Sequence, residues 1–249
     1  MNLKGRNFYI RKVHRYLGVF IGVQFLLWTL GGLYFSWTDL DEIHGDHLRH
    51  DAAMPDPSLF AVPPHEAMAL QAKGEAADLA KFRMVAVMGQ PYYSITYGKG
   101  PKARAVLVHA ANGRVRDPIN EQEAKTIATK IMHQPSDVET IEFVTQELIS
   151  GHHEYREKPL PAWAITLKHP ENATVYVGAN DGQVHAVRTN SWRAFDFLWM
   201  LHTMDFSGRD NINNYVLRAF SILGILTVMS GFLLYFVSSK TMRRIWKRR

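Results

Sequence analysis

The sequence predicts an α+β fold in which two transmembrane helices enclose an extracytoplasmic domain made of two similar copies. Apolar runs without charged residues, at 16–38 and 219–239, predict the two helices. A repeat, in which Ile95–Val115 resembles Ile165–Val184, predicts that each copy has one helix packed on about three antiparallel strands.

The first apolar run is long enough to cross a bilayer as a helix. At about 1.5 Å per residue it reaches roughly 34 Å, against a hydrocarbon core of about 30 Å. Basic residues precede it and Asp39, Asp41 and Glu42 follow it, which places the N-terminus in the cytoplasm and the next segment outside. A cleavable signal peptide is the alternative, but the run is too long and no small-x-small site follows Trp37.

The second apolar run is followed by six basic residues, so the C-terminus is also predicted to be cytoplasmic. The predicted localisation is therefore the bacterial inner membrane, with residues 39–214 extracytoplasmic. The predicted segments are a cytoplasmic basic tail (1–15), transmembrane helix 1 (16–38), a juxtamembrane His-rich segment and linker (39–64), repeat 1 (65–118), repeat 2 (119–190), an interfacial helix (191–205), transmembrane helix 2 (215–239) and a cytoplasmic basic tail (240–249).

The charge distribution excludes nucleic acid as a partner. The chain carries a net charge of +6, but all 23 acidic residues lie between Asp39 and Asp210 with only 17 basic ones, so that segment is anionic. The remaining basic residues flank the apolar runs, where they are expected to contact anionic membrane lipids. The chain has no cysteine, which excludes disulfides and thiolate metal sites.

Three histidines recur at every third position in the segment 39–51, DLDEIHGDHLRHD. His44, His47 and His50 among carboxylates predict a site for a divalent transition metal such as Zn, Cu or Fe. The alternative is a polar juxtamembrane helix that continues the first span and meets lipid headgroups. The four prolines that follow, within Met54–Pro64, indicate a linker.

The repeat aligns with one gap and places equivalent turns in both copies, at Asn112-Gly113 and Asp181-Gly182. Asn-Gly and Asp-Gly accept the positive φ angles of a tight hairpin. Upstream of each hairpin the sequence predicts a helix and then a strand. These are Pro64–Lys73 and Phe82–Met88 in the first copy, and Glu121–His133 and Val138–Phe143 in the second.

Three further patterns concern the membrane. Segment 191–205 has an apolar face and is expected to lie in the membrane interface; the face consists of Trp192, Phe195, Leu198, Trp199 and His202. Small residues recur at helical spacing in both runs: Gly18, Gly22, Thr29 and Gly32 in the first, and Gly224, Thr227 and Gly231 in the second. They favour a packed helical hairpin, and the alternative is a homodimer through Gly18 and Gly22.

Short motifs around both spans resemble those of the PepSY-associated transmembrane family. The motif RKVHRYLG at 11–18 opens the first span, Leu201-His202-Thr203 precedes the second, and Ser230-Gly231 lies within it. The two α-β-β-β copies are similar to the PepSY domain. The resemblance covers nearly the whole chain and implies a membrane protein that displays a tandem PepSY-like domain.

The resemblance also implies haem, because larger relatives include ferric and siderophore reductases that hold b-type haem through membrane histidines. His14 and His202 are then the candidate axial ligands. About 30 Å of helix separates them, whereas two axial imidazoles lie about 4 Å apart, which excludes one haem shared within a chain. A haem would need a dimer that pairs His14 with its copy, a partner protein, or a methionine such as Met204 or Met229.

The leading functional prediction is a bacterial inner-membrane PepSY-domain protein that acts by binding, as an accessory or regulatory subunit in envelope or iron-uptake processes. Its partner would be an envelope protein. One alternative is a haem-binding electron-transfer subunit, in which case the chain would be part of an oxidoreductase. The other is metal binding through His44, His47 and His50. No nucleophile elbow or phosphate-binding glycine motif indicates an enzyme acting alone.

Overall fold

The structure, a computed structural model, describes residues 3–52, 55–71, 79–98 and 103–239, with side chains omitted at 3–7 and 70–71. Part of the predicted linker (Met54), the predicted end of the first copy's helix (Lys73) and the second basic tail (240–249) lie outside the described residues. The chain forms two compact units. We call residues 1–38 with 195–249 the helical unit, and 39–194 the sheet unit.

Six α-helices and seven strands are described. The helices are α1 (Leu3–Trp37), α2 (Leu40–His44), α3 (Pro64–Gln71), α4 (Glu121–Ile131), α5 (Asn190–Thr203) and α6 (Tyr215–Ser238). The strands are β1 (Leu79–Val87), β2 (Gln90–Tyr97), β3 (Arg104–His109), β4 (Val138–Val144), β5 (Ala162–Leu167), β6 (Thr174–Gly178) and β7 (Val184–Arg188).

In the helical unit, α1 and α6 are long and apolar enough to cross a membrane. Their apolar stretches are Phe8–Trp37, with mean hydropathy 1.6, and Tyr215–Ser238, with mean hydropathy 2.1. Their apolar side chains are largely exposed, which is what lipid contact requires and a soluble core helix would not show. The helices pack on each other, with the rings of Phe20 and Phe220 stacked at 5.5 Å.

Three of the glycines in the small-residue pattern do not lie at a close contact between α1 and α6. A Cβ added at Gly18, Gly22 or Gly224 would meet nothing within 4 Å. These three glycines line an open groove beside the contact between the helices. Only Gly231, of the glycines named in the pattern, faces a close neighbour on the other helix: its Cβ would lie 3.3 Å from the His14 ring.

In the sheet unit, the mixed helix-and-sheet fold with two similar copies is confirmed. The first copy has α3 and the antiparallel sheet β1-β2-β3, and the second has α4 and the antiparallel sheet β4-β5-β6-β7. The second copy exceeds the predicted three strands because β7 pairs with β6 along its length. The corresponding segment of the first copy makes only a single bridge, between Val108 and Val115.

The two hairpin turns form the same hydrogen bonds between equivalent atoms. In each, a glycine with positive φ (Gly113 at 69°, Gly182 at 61°) donates its N–H four residues back, and the turn's Asn or Asp side chain accepts from a backbone N–H. The bonds are Gly113 N to His109 O (2.9 Å) and Arg114 N to Asn112 Oδ1 (3.0 Å), and Gly182 N to Gly178 O (2.9 Å) and Gln183 N to Asp181 Oδ1 (3.1 Å).

The segment that enters each helix is anchored in the same way in both copies. Val62, before α3, donates its N–H to Ala110 O (2.8 Å), and its carbonyl accepts from Tyr93 Oη (2.7 Å). The second copy repeats this with Ile119 N to Ala179 O (2.7 Å) and Trp163 Nε1 to Ile119 O (2.8 Å). The anchor satisfies a backbone carbonyl that would otherwise be buried without a partner.

Three apolar clusters make the core. One lies between α3 and the first sheet, around Tyr93 and Ile95. The largest joins α4, the second sheet and the other face of the first sheet, with Val85, Leu107 and Ile165 among its members. The third lies on the other face of the second sheet, which is covered by the segment 145–161. We call this segment the cover loop.

Candidate functional site

His14 lies where α1 meets α6. Its Nδ1 is hydrogen-bonded to Ser230 Oγ at 2.7 Å, and Ser230 Oγ also donates to Thr227 O at 2.7 Å. Gly231 leaves room for the imidazole ring. The motif residues His14, Ser230 and Gly231 therefore form one contact, and the Ser230 bond orients the ring with Nε2 directed away from it.

His202 lies near the end of α5 in an aromatic cage. The rings of Trp28 and Phe35 on α1 are each 5.5 Å from its imidazole, and Trp199 is 6.2 Å away. Trp28 Nε1 donates to the His202 carbonyl at 2.7 Å. The His202 Nδ1 atom is buried and has no hydrogen-bond partner among the described residues. A Cβ added at Gly31 would lie 3.9 Å from it, so a glycine again provides the space beside a histidine.

The two histidines are not brought together. His202 contacts α1 at Trp28 and Phe35, 14 and 21 residues after His14, which is about 21–32 Å along the helix. The residues present therefore do not fit one haem held by both histidines of a single chain. Met204 and Met229 both line a cavity of about 400 Å³ between α1 and α6, and neither histidine is part of its described lining.

The apolar face predicted for 191–205 divides between the two units. Phe195 contacts Phe35 of α1 with ring centroids 4.9 Å apart, as part of the helical unit. Trp192 is 7% exposed in the sheet unit, where the Arg188 guanidinium lies 4.1 Å over its ring. These side chains are thus packed within the protein, a role that the periodicity of the segment did not distinguish from membrane contact.

The three spaced histidines do not share a helical face. Helix α2 ends at His44 because Gly45 takes a left-handed conformation with φ 75°, and a short 3-10 turn, Asp46–Leu48, follows. His50 instead packs against His133 of the second copy, with ring centroids 4.1 Å apart. The described residues contain no group of three or more His, Asp or Glu arranged to hold a metal ion.

A cleft of about 840 Å³ opens between the two copies, and neither hydropathy nor turn motifs predicted it. At its wall, Asp181, 5% exposed, is hydrogen-bonded to His185 Nε2 at 3.0 Å and lies 3.6 Å from the Arg83 guanidinium. Gly178 makes this possible, since a Cβ there would lie 2.2 Å from Asp181 Oδ1. Burial, and after it the Asp181 carboxylate, raise the pKa of Tyr155 beside the cleft.

One signal in the sequence marks this place. The repeat aligns Gly178 with His109, and a glycine inside a strand often marks a close approach by another group. Asp181 was interpreted only as a turn residue, and its side chain does perform that role by accepting from Gln183 N. The partners Arg83 and His185 are distant from each other in the sequence, and no local pattern connects them.

The loop between α5 and α6 is held by two buried carboxylates of the helical unit. Asp196, 3% exposed, pairs with Arg209. Burial would raise the pKa of Asp205, but hydrogen bonds from Asn211 N, Gly208 N and Ser207 outweigh it and lower that pKa to about 2. These contacts give the acidic residues of this region a structural role.

Two apolar helices with exposed side chains, together with a duplicated helix-and-sheet domain, define a membrane protein that carries a folded domain. The family model of the PepSY-associated TM region matches residues 11–249, and the chain belongs to this family. The resemblance seen in the motifs around His14 and His202 is thereby confirmed. Comparison with curated proteins gave no match, and neither did comparison with solved structures.

Proposed function

We propose that this protein resides in the bacterial inner membrane with its sheet unit outside the cytoplasm, where it acts by binding an envelope protein. The resemblance suggests a partner in peptidase regulation or iron uptake, for which this chain would be an accessory subunit. The basic residues that flank both apolar runs support the orientation, because such residues are retained on the cytoplasmic side.

The observation that carries this proposal is the open edge of β4. This strand pairs with β5 on one side, and among the described strands it has no partner on the other. An unpaired edge presents a row of backbone N–H and C=O groups to which a partner can add a strand. The edge is seven residues long, enough for several backbone hydrogen bonds.

The side chains of β4 indicate the chemistry of the partner. Glu139 and Glu142 are exposed, and Phe143 is 41% exposed beside them. Carboxylates on an edge oppose self-association and favour a partner strand with basic residues, because like charges directly opposite each other repel. The exposed Phe143 offers an apolar contact next to that charge.

This binding is tested by placing a photo-crosslinking amino acid at Glu142 in the bacterium that makes the protein. The control places the same amino acid at Gln122, on the exposed side of α4. We expect a protein adduct from position 142 only, and its loss when Glu139→Lys is added. The adduct's protein, identified by mass spectrometry and purified, should then slow hydrogen exchange at the amides of 138–144. Adducts of equal yield from both positions, or a complex that leaves these amides unprotected, would contradict the proposal.

A second candidate function, haem-linked electron transfer, is favoured by one observation at His202. Its buried Nδ1 has no described hydrogen-bond partner, and an unpaired buried polar atom is costly unless something binds it. Since His14 is too distant, each haem would take its second ligand from another chain, from a partner protein, or from a methionine such as Met204 or Met229. A b-type haem, when bound, would supply reversible one-electron chemistry.

The absorbance spectrum of the purified full-length protein separates the two functions. The haem proposal expects a reducible b-type spectrum that is lost in His202→Ala and retained in the control His65→Ala, whose histidine is exposed on α3. Protein purified from haem-sufficient cells without iron or colour would refute it for this chain. It would leave the binding proposal intact, because the crosslinks at β4 do not depend on haem.

A further inference from the structure

One face of the first sheet is only half covered by the apolar core. The other half of that face forms a wall of the cleft between the two copies. Alternate residues of β1 point to the same face of the sheet. At one end of this face Val85 and Val87 are buried in the largest apolar cluster. At the other end Lys81 and Arg83 line the cleft instead. The face therefore changes along one strand from packed and apolar to open and cationic.

Arg83 has hydrogen-bonding capacity that the protein does not use. Its Nε atom is buried and has no hydrogen-bond partner among the described residues. Its contact with Asp181, at 3.6 Å, is an ion pair beyond hydrogen-bonding distance, and Asp181 already accepts from Gln183 N and is hydrogen-bonded to His185. The Arg83 side chain as a whole is 39% exposed and lines the cleft, so a ligand carboxylate can pair with its guanidinium group, which binds carboxylates best through two parallel N–H bonds.

The rest of the cleft indicates the size and class of that ligand. Its volume of about 840 Å³ is within the range of about 300–1,000 Å³ that is usual for small-molecule sites. Three basic residues (Lys81, Arg83 and Lys158) and two acidic ones (Glu157 and Asp181) line the cleft, so positive charge is in excess. Ile149 and Leu160 of the cover loop are apolar lining residues. Cationic and apolar groups in one cleft suit a ligand that carries both a carboxylate and apolar side chains.

We propose that this cleft binds a short peptide by its C-terminal carboxylate. The carboxylate pairs with Arg83 and Lys81, and an apolar side chain of the peptide lies against Ile149 and Leu160. The peptide's amide groups meet the polar lining residues Thr96 and Asn180. The site is separate from the β4 edge, since none of residues 138–144 lines it.

Calorimetric titration of the full chain in detergent, with Ala-X-Ala tripeptides, tests this. X is Leu, Phe, Lys or Glu, and each peptide is used as the free acid and as the C-terminal amide. We expect at least one free acid to bind, at least tenfold more tightly than its amide. Arg83→Gln should weaken the free acid by about tenfold or more, as expected for loss of hydrogen bonds to a charged group.

The control is Arg114→Gln, which removes an exposed arginine of the same copy outside the cleft and should leave binding unchanged. If Arg83→Gln does not fold, Lys81→Gln and Lys158→Gln test the proposal instead, because both side chains are exposed. Each of these substitutions should weaken binding of the free acid. Equal binding of acid and amide, unchanged binding in the cleft variants, or no binding of any tripeptide at about 10 mM would overturn the proposal.

Discussion

The two copies of the repeat share their backbone anchors and differ in what covers the second face of each sheet. In the second copy the cover loop lies on that face, with Tyr155 fully buried and its ring stacked 4.4 Å from that of Tyr176. In the first copy the equivalent face is half packed in the shared core and half open as the cleft. The two copies thus share the contacts that set the fold and differ in how much of this face is open.

The polar groups on these faces differ accordingly. In the second copy Thr166 and Thr174 are hydrogen-bonded to each other at 3.1 Å, and Tyr176 Oη donates to Glu154 at 2.9 Å. In the first copy the buried Ser94 Oγ has no hydrogen-bond partner among the described residues, like the Nε of Arg83, its cross-strand neighbour. Satisfied polar groups rigidify a face, whereas a buried polar group without a partner is costly.

The largest effect is expected from removing the centre of the cover loop. Tyr155→Ala should destabilise the sheet unit by about 3–5 kcal/mol, because it empties a fully buried aromatic position. Hydrogen exchange of the β5 and β6 amides measures this. Leu148→Ala, at an exposed residue of the same loop, should change stability by no more than about 0.5 kcal/mol. A loss for Tyr155→Ala as small as that for Leu148→Ala would mean that the cover loop does not stabilise the second copy.

An intermediate effect is expected at the turn where the second copy meets the first. In Gly182→Ala the new Cβ would lie 2.9 Å from Val87 and 3.1 Å from Ile119, at a φ of +61°. The conformational strain and the overpacking together should cost about 2–4 kcal/mol in the thermal or hydrogen-exchange stability of the sheet unit.

The matched variant Gly89→Ala separates these two contributions. Gly89 has a similar φ of +80°, but a Cβ there would meet nothing within 4 Å. Only the strain remains, so we expect a cost of about 1–2 kcal/mol. If Gly89→Ala were as destabilising as Gly182→Ala, the close contact between the copies at Val87 would be unimportant.

The smallest effect is expected from the anchor bond of the first copy. Tyr93→Phe removes only the hydroxyl that donates to Val62 O and should cost about 1–2 kcal/mol, because the carbonyl loses its partner. The Val62 amide, which donates to Ala110 O, should exchange faster than in the parent protein. Tyr97→Phe is the control, since within the described part of the chain its hydroxyl makes no hydrogen bond. An unchanged hydrogen-exchange rate at the Val62 amide would show that the hydrogen bond from Tyr93 does not hold this segment in place.

Local patterns in the sequence were sufficient for the membrane helices, the repeat and its turns. Uncharged length predicted α1 and α6, and Asn-Gly and Asp-Gly marked both hairpins, because each of these features depends on residues adjacent in the chain. Residue spacing was insufficient where one pattern is compatible with more than one structure. The regular positions of His44, His47 and His50 do not form one helical face, because Gly45 ends the helix between them.

The sequence by itself determined that this is a two-span protein with a duplicated domain, since hydropathy and turn chemistry are local properties. Only the tertiary structure decided which polar groups meet. Arg83 reaches Asp181 from the other copy, and His202 reaches Trp28 from the far end of the chain. Such contacts depend on packing between distant segments, and no residue spacing encodes them.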